Sequence, residues 1–573
     1  MGSVLLVSLL TFLPLCLGVS PAWSLAGEEH GSKSHQGVLG SVVKGGGAYK
    51  YLKGSIKGSV AQGRYVDAKH TPSYTGQLHV STAGTYSDHD QMFAVGYLEG
   101  YISAERIGEY FSNTYTYFTE GMNASLAKPL DWLEKQDIWA RAQVKKNGES
   151  ALWQMLDLVL TQFDGLVAGY QARHADDSNA LPSLSRRDLI FLNGNGEVYD
   201  LLEAKGLMQG AGLNGIDLSR TPAQIFNDIA LSGRCSALIT VTPDFSDLYM
   251  GHSTWDSFSQ MTKIFKHYSF QLSLPGVASQ RMSFSSYPGE LFSDDDLYIM
   301  DSKLAVLSTT NHLYNTSLYD TLTHESLVSW QRVRVANALA SSGEEWVSYL
   351  DYLNSGTYNN QYMILDLKKF TPGKDLQPGL LWIAEQIPGL VASRDMTEQL
   401  ARGYWPSYNI PYFQEVYEMS GLLPLQQKLA AMGPEYSNAV SWISYQLNPR
   451  ASIFRRDSSD VVDVESMKRL MRSNNYTQDK LSWGNPVAAV CSRGDLEGPS
   501  AVATGCFDTK VTSYSMALQL QVDAVAGPTT QGGLPPFEWK EPFLSVPHAG
   551  MPQKFDFDFE LQQPEYALSL AAA

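Results

Sequence analysis
At Cys235 the chain changes character, and that change limits the folds open to it. Residues 93–180 carry apolar side chains at spacings of three and four. This predicts helices over FAVGYLEGYISAERIGEYF, DWLEKQDIWARAQ and ALWQMLDLVLTQFDGLVAGYQAR. Residues 181–233 are rich in loop formers, with a short helix expected near Asp200–Lys205, and Asn193-Gly194-Asn195-Gly196-Glu197 reads as a turn. With no linker between, Cys235-Ser236-Ala237-Leu238-Ile239-Thr240-Val241-Thr242 then opens a strand. Further strands are expected at 247–254, 268–274, 281–287, 297–309 and 361–367, with helices at 325–340 and 344–353 between them. Helices and loops then alternate to about 480, and strand-like alternation returns over 510–560. The Gly-, Ser- and Lys-rich stretch 27–65 predicts a mobile start followed by hairpin strands. Helices, then antiparallel strands, then helices predict an α+β fold of sheets covered by helices, in one composite unit.

The apolar run Val4–Val19, followed by small residues, reads as a secretory leader spanning 1–26, cut after Ala26. No later segment is apolar for 18 residues, so no transmembrane segment is expected in the mature chain. Three N-x-[ST] sequences, at Asn123, Asn315 and Asn475, fit glycosylation in that pathway. Of four cysteines, Cys16 leaves with the leader. Cys491 and Cys506, each beside turn residues, are expected to form a disulfide, which leaves Cys235 unpaired. With 42 Lys and Arg against 59 Asp and Glu the net charge is −17, which argues against a nucleic-acid partner.

Motifs for several chemistries are missing. Gly251-His252-Ser253-Thr254-Trp255 lacks the closing glycine of a serine-hydrolase elbow, and no H-E-x-x-H, P-loop or paired CxxC is present. No metal and no cofactor are expected. Cys235 follows the Gly-containing segment Leu231-Ser232-Gly233-Arg234 and starts a strand. One reading is an inert buried cysteine. The other is a self-cleaving nucleophile whose thiol attacks the Arg234 carbonyl, leaving a new α-amine at Cys235 to act as base. If Pro243-Asp244 forms a two-residue turn, Cys235 pairs across the hairpin with His252, where an imidazole would lower the thiol pKa or steer a proton. A plain strand histidine is the competing reading.

Several long motifs resemble the phospholipase B-like family. They include Cys235-Ser236-Ala237-Leu238-Ile239, Ser355-Gly356-Thr357-Tyr358-Asn359-Asn360-Gln361-Tyr362 and Tyr404-Trp405-Pro406-Ser407-Tyr408-Asn409. Arg450-Ala451-Ser452-Ile453-Phe454-Arg455-Arg456-Asp457 and Gly505-Cys506-Phe507-Asp508-Thr509-Lys510 belong to the same set, and the resemblance runs from about residue 90 to 560. It implies an N-terminal nucleophile (Ntn) hydrolase fold, an αββα sandwich. It also implies cleavage between Arg234 and Cys235 into chains 27–234 and 235–573 that stay associated. By resemblance Cys235 is the nucleophile with His252 beside it, Thr310 joins the site, Asn409 donates to the oxyanion and Arg450 completes the pocket. Asn359 and Asn360 are alternative amide donors.

The leading expectation is a secreted or lysosomal hydrolase that removes acyl chains from glycerophospholipids. An amidase using the same site, and a non-catalytic lumenal binding glycoprotein that cleaves itself only to mature, are the alternatives.

Overall fold
A computed structural model describes residues 37–204, 216–231 and 233–565. The expected leader, Cys16, Lys205 and Ser232 lie outside the described residues. The described residues belong to one compact unit.

Two sheets stack face to face. The larger has eleven strands in the order Leu390–Asp395, Leu381–Ile387, Asn360–Asp366, Leu304–Thr310, Leu297–Met300, Arg281–Ser286, Lys263–Ser269, Thr75–Thr82, Ala61–Val66, Val38–Gly45 and Ala48–Lys53. All neighbours are antiparallel except Thr75–Thr82 beside Lys263–Ser269. The smaller has seven strands, with Cys235–Val241 between Tyr404–Ser407 and Leu248–Ser257.

Side-chain alternation builds the layers. Ala237, Ile239, Val241 and Met250 of the smaller sheet meet Leu297, Ile299, Ala305, Leu307 and Ile383 of the larger in a dry inter-sheet core. Leu238 and Tyr249, on the opposite face, pack on Phe454, Met467 and Leu470 from the helices Pro449–Asp457 and Val464–Met471. The outer face of the larger sheet, with Val80, Phe284 and Val306, is covered by Leu98, Phe163, Leu166 and Val333 from three further helices. The four-layer αββα arrangement expected of an Ntn hydrolase is therefore present.

The helices Asp88–Ile102 and Ala151–Asp176 touch backbone to backbone through two glycine pairs. A Cβ on Gly96 would lie 1.9 Å from the Gln162 carbonyl oxygen, and one on Gly165 would lie 2.0 Å from that of Phe93. Gly100 and Gly169 repeat the contact one turn on. No side chain fits at that distance.

Several sequence expectations need correction. The strand expected at 268–274 is Lys263–Ser269, and 297–309 is a hairpin split by a left-handed Lys303 (φ 65°). Strands Leu381–Ile387, Leu390–Asp395 and Tyr404–Ser407 occupy a region read as helix and loop. They are short; Leu381–Ile387 is buried along almost its whole length, which masks alternation, while Leu390–Asp395 is a half-exposed edge strand. Asn193–Glu197 is a helix-to-helix joint, with Gly194 capping Arg186–Asn193 and Asn195–Ala204 starting at once. The Cys491–Cys506 disulfide is present, with a Cα–Cα distance of 5.0 Å.

Gly96→Ala and Gly165→Ala should each destabilise the protein by about 3 kcal/mol, the upper end for overpacking. Denaturant unfolding checks this, and an unchanged midpoint for either variant contradicts the close packing.

Candidate active site
The hairpin that carries the candidate nucleophile pairs Cys235 with Thr254 and Ala237 with His252. The expected Cys235–His252 pair is corrected by two residues. The turn holds four residues, not two: the Thr242 N–H donates to the Asp247 carbonyl (3.1 Å), Asp244 accepts from the Ser246 N–H, and Phe245 is left-handed (φ 55°). A two-residue slip preserves the face. Cys235 and His252 thus both point between the sheets, as diagonal neighbours.

Cys235 is a free, buried thiol. Its Sγ lies 3.8 Å from Asp296 Oδ2. Asp296 precedes the strand Leu297–Met300 in a left-handed conformation (φ 59°). Its other oxygen accepts from the Ser308 hydroxyl (2.5 Å) and the Tyr358 hydroxyl (3.1 Å). Sequence reasoning missed Asp296. It sits in the acidic run Asp294-Asp295-Asp296, which reads as a solvated loop, yet all three carboxyls lie in the interior. Tyr358 and Asn409 are also left-handed (φ 50° and 69°), so three unusual backbone positions converge on the thiol.

His252 Nε2 donates to the Ser308 carbonyl (2.9 Å) and lies 4.0 Å from Asp296 Oδ2. That bond fixes the proton on Nε2 and leaves Nδ1 without a partner. Burial holds the imidazole well below its ordinary pKa, and the Lys510 cation adds to the effect. The ring is neutral and brings no positive charge to the thiol. Cys235, His252 and Asp296 each offer a potential ligand atom, and these atoms lie within 4.8 Å of one another.

Asn409 and Arg450 grip the peptide on either side of the nucleophile. Asn409 Oδ1 accepts the Arg234 N–H (3.1 Å), and its Nδ2 donates to the Thr310 carbonyl (2.8 Å). Arg450 Nη1 donates to the Cys235 carbonyl (2.7 Å) and to Asn409 Oδ1 (2.9 Å), while Nη2 donates to the Tyr408 carbonyl (2.8 Å). The Arg450 guanidinium lies over the Trp255 ring (4.3 Å). Asn448 caps its helix and accepts the Arg450 N–H, which fixes where the side chain starts.

Thr310 is half-buried at the end of its strand and lines a cavity of about 50 Å³ around Cys235. The same cavity is lined by Asn311, whose buried side-chain amide has no partner on either atom. Asn359 and Asn360 are not part of this lining; Asn359 is bonded to Gly356 and Gln386, and Asn360 to Tyr362. Asn311 is thus a free amide at the site, a residue that sequence reasoning passed over beside Thr310.

The phospholipase B family matches residues 61–561. The chain belongs to that family. It is 40% identical to phospholipase B-like 1 of Rattus norvegicus over 560 residues, 97% of each chain. It is also 40% identical to phospholipase B-like 1 of Homo sapiens, over 85% of this chain and 83% of that one. Phospholipase B of Crotalus adamanteus is 39% identical over 89% of each. The family and the αββα sandwich support a hydrolase.

This phospholipase B family chain buries several carboxyls, of which Asp200, Glu203 and Asp296 line the cavity at Cys235. Burial raises Asp200 to about 6, Glu197, Asp296 and Glu385 to about 7, and Glu203 and Glu290 to about 8. Beneath Thr254, Asp295 and Asp508 are instead compensated by the buried Lys263 and Lys510. A carboxyl whose folded pKa is raised binds its proton more tightly in the native state. Its stabilising effect is therefore lost as pH rises through that folded value. Histidines titrate in the unfolded chain near 6.5 and oppose the effect only below it. Thermal stability should consequently fall as pH rises from about 6.5 to 8. Calorimetry at constant ionic strength checks this; a Tm that rises across the window contradicts the buried-carboxyl account.

Proposed function
We propose that the chain cleaves itself between Arg234 and Cys235 and then hydrolyses acyl bonds of glycerophospholipids, with Cys235 as nucleophile. The observation that carries the reading is the hold on the two peptides that flank the Arg234–Cys235 bond: Asn409 accepts the Arg234 N–H on one side, Arg450 donates to the Cys235 carbonyl on the other, and the thiol sits between them. Burial pushes the Cys235 thiol well above its ordinary value, and the Asp296 charge pushes the same way. The proton therefore needs an acceptor before the sulfur can attack. Asp296 Oδ2 is that acceptor.

The Sγ–C bond to the Arg234 carbonyl forms as the thiol proton passes to Asp296. The Arg234–Cys235 C–N bond then breaks, and the Cys235 nitrogen takes the proton. Water cleaves the resulting thioester, releasing the thiol and an Arg234 carboxylate. The freed α-amine, of ordinary pKa about 7.7–8.0, serves as the base for later turnovers. In those, the amine takes the thiol proton as sulfur attacks the ester carbonyl, the C–O bond breaks, the ammonium returns that proton to the leaving alkoxide, and water hydrolyses the thioester to the free acid and the thiol. Asn409 supports the oxyanion once its Nδ2 leaves the Thr310 carbonyl, a role typically worth about 2.7–4 kcal/mol per donor.

A second reading is an amidase using the same site, since the bond that the proposed self-cleavage breaks is itself an amide. Matched ester and amide substrates on one preparation discriminate the two. The reading also places the protein in the secretory pathway, in a lysosome or outside the cell. Asn123 and Asn475 are exposed, while the Asn315 side chain donates to the Met419 carbonyl and must release it to carry a glycan.

Cys235→Ala should give a single uncut chain with no acyl hydrolase activity by intact mass and turnover assay; a cut, active variant would overturn the assignment. Because Asp296 ionises at about 7, the self-cleavage rate should rise with pH through that value. Asp296→Asn should flatten the profile and slow cleavage by a factor of roughly 10²–10⁴. A wild-type rate that rises toward acid instead contradicts Asp296 as the base.

A further inference from the structure
Arg234 does more than precede the nucleophile. Its guanidinium lies over the Tyr199 ring at 4.1 Å and pairs with Asp256 Oδ1 at 2.5 Å. The Tyr199 hydroxyl donates to the same carboxylate (3.3 Å) and accepts from Gln260 Nε2 (3.2 Å). Asp256 is fixed in turn by the Ser257 N–H (2.6 Å). An aromatic face beside an oriented, mostly buried carboxylate is the chemistry of an organic-cation site. Here the cation belongs to the chain itself.

The position of this box gives it a consequence. Tyr199, Arg234 and Asp256 line the small cavity at Cys235 and also a neighbouring cavity of about 830 Å³. The Arg234 side chain is thus part of the wall between them. Among the described residues that line the small cavity it is the one Lys or Arg, against Asp200, Glu203, Asp256, Asp294 and Asp296. Its departure would join the two spaces and leave Asp256 without its counter-ion. A mostly buried, unpaired carboxylate is strongly unfavourable. An anionic group entering there meets carboxylates and no other Lys or Arg among the described lining residues, whereas an ammonium or guanidinium group restores what Arg234 supplied.

We propose that Tyr199 and Asp256 form an organic-cation subsite beside Cys235, filled by Arg234 in the uncut chain and by a substrate's ammonium or guanidinium group once Arg234 is displaced. The proposal rests on the self-cleavage reading for the step that empties the subsite, but not for the existence of the subsite. Its ligand comes from one of two sources: the headgroup of a zwitterionic lipid, or a basic side chain on an acyl donor.

The test begins with Arg234→Ala in the full chain, which empties the box whether or not the chain is cut. Ethylguanidinium should raise the Tm of this variant by about 2 °C or more, and the neutral N-ethylurea should not. Adding Asp256→Asn should abolish the shift. Arg234→Gln gives the same readout if the alanine variant folds poorly. No shift with ethylguanidinium, or a shift that survives Asp256→Asn, overturns the proposal. Wild-type protein that stays in one piece defeats the self-cleavage reading alone, since the variants still report on the box. In cut protein, kcat/KM for phosphatidylcholine over phosphatidylglycerol, and for an arginyl over a citrullinyl amide, identifies the source. At least one ratio should reach roughly tenfold and fall toward one in Asp256→Asn. Ratios near one for both pairs overturn the subsite as a substrate determinant.

Discussion
The site depends on one buried guanidinium. Arg450 is fully buried, and the oxygens it touches are neutral: the Cys235 and Tyr408 carbonyls, the Asn409 amide and, at 3.4 Å, the Ser236 hydroxyl. Burial lowers it to about 9, which still leaves it charged at the pH of any cell compartment. A buried cation of this kind is costly unless its donors are met. The bonds from Nη1 and Nη2, with Nε left unpaired among the described residues, fix the start of the Cys235 strand, the turn after Tyr404–Ser407 and the first turn of the helix Pro449–Asp457 relative to one another. The two tryptophan rings over it, Trp255 and Trp442, belong to the hairpin and to a helix outside it, so the same charge ties down a third layer.

The two sheets meet differently at this end than in their middle. In the middle they meet through aliphatic side chains. At the site they are joined by polar bonds from the smaller sheet to the end of Leu304–Thr310: His252 to the Ser308 carbonyl, Ser407 to the Thr309 hydroxyl and Asn409 to the Thr310 carbonyl. A cavity of about 50 Å³ lies at this end of the interface. His252 is a neutral donor there, kept so by burial.

Part of this was legible in the sequence because its physics is local. The unpaired Cys235 at a loop-to-strand junction stands out from residue types alone, and so do the long helices and the disulfide. The hairpin register did not follow, because it turns on Phe245 adopting a left-handed conformation that no residue type there demands. Thr310, Asn409 and Arg450 came from family resemblance only. They come from a strand end, a bend and a helix, far apart in the chain, and nothing near them in sequence marks them. Asp296 and Asn311 escaped because an acidic run and a strand end both read as surface until the sandwich closes over them.

The most direct measurement is N-terminal sequencing with intact mass on wild-type protein purified from its producing cells. The account predicts two associated chains, the larger beginning at Cys235 with a free amine. A single chain in which the Arg234–Cys235 peptide remains intact after prolonged incubation, across acid and neutral pH, would contradict it, and the grip of Asn409 and Arg450 would then be structural.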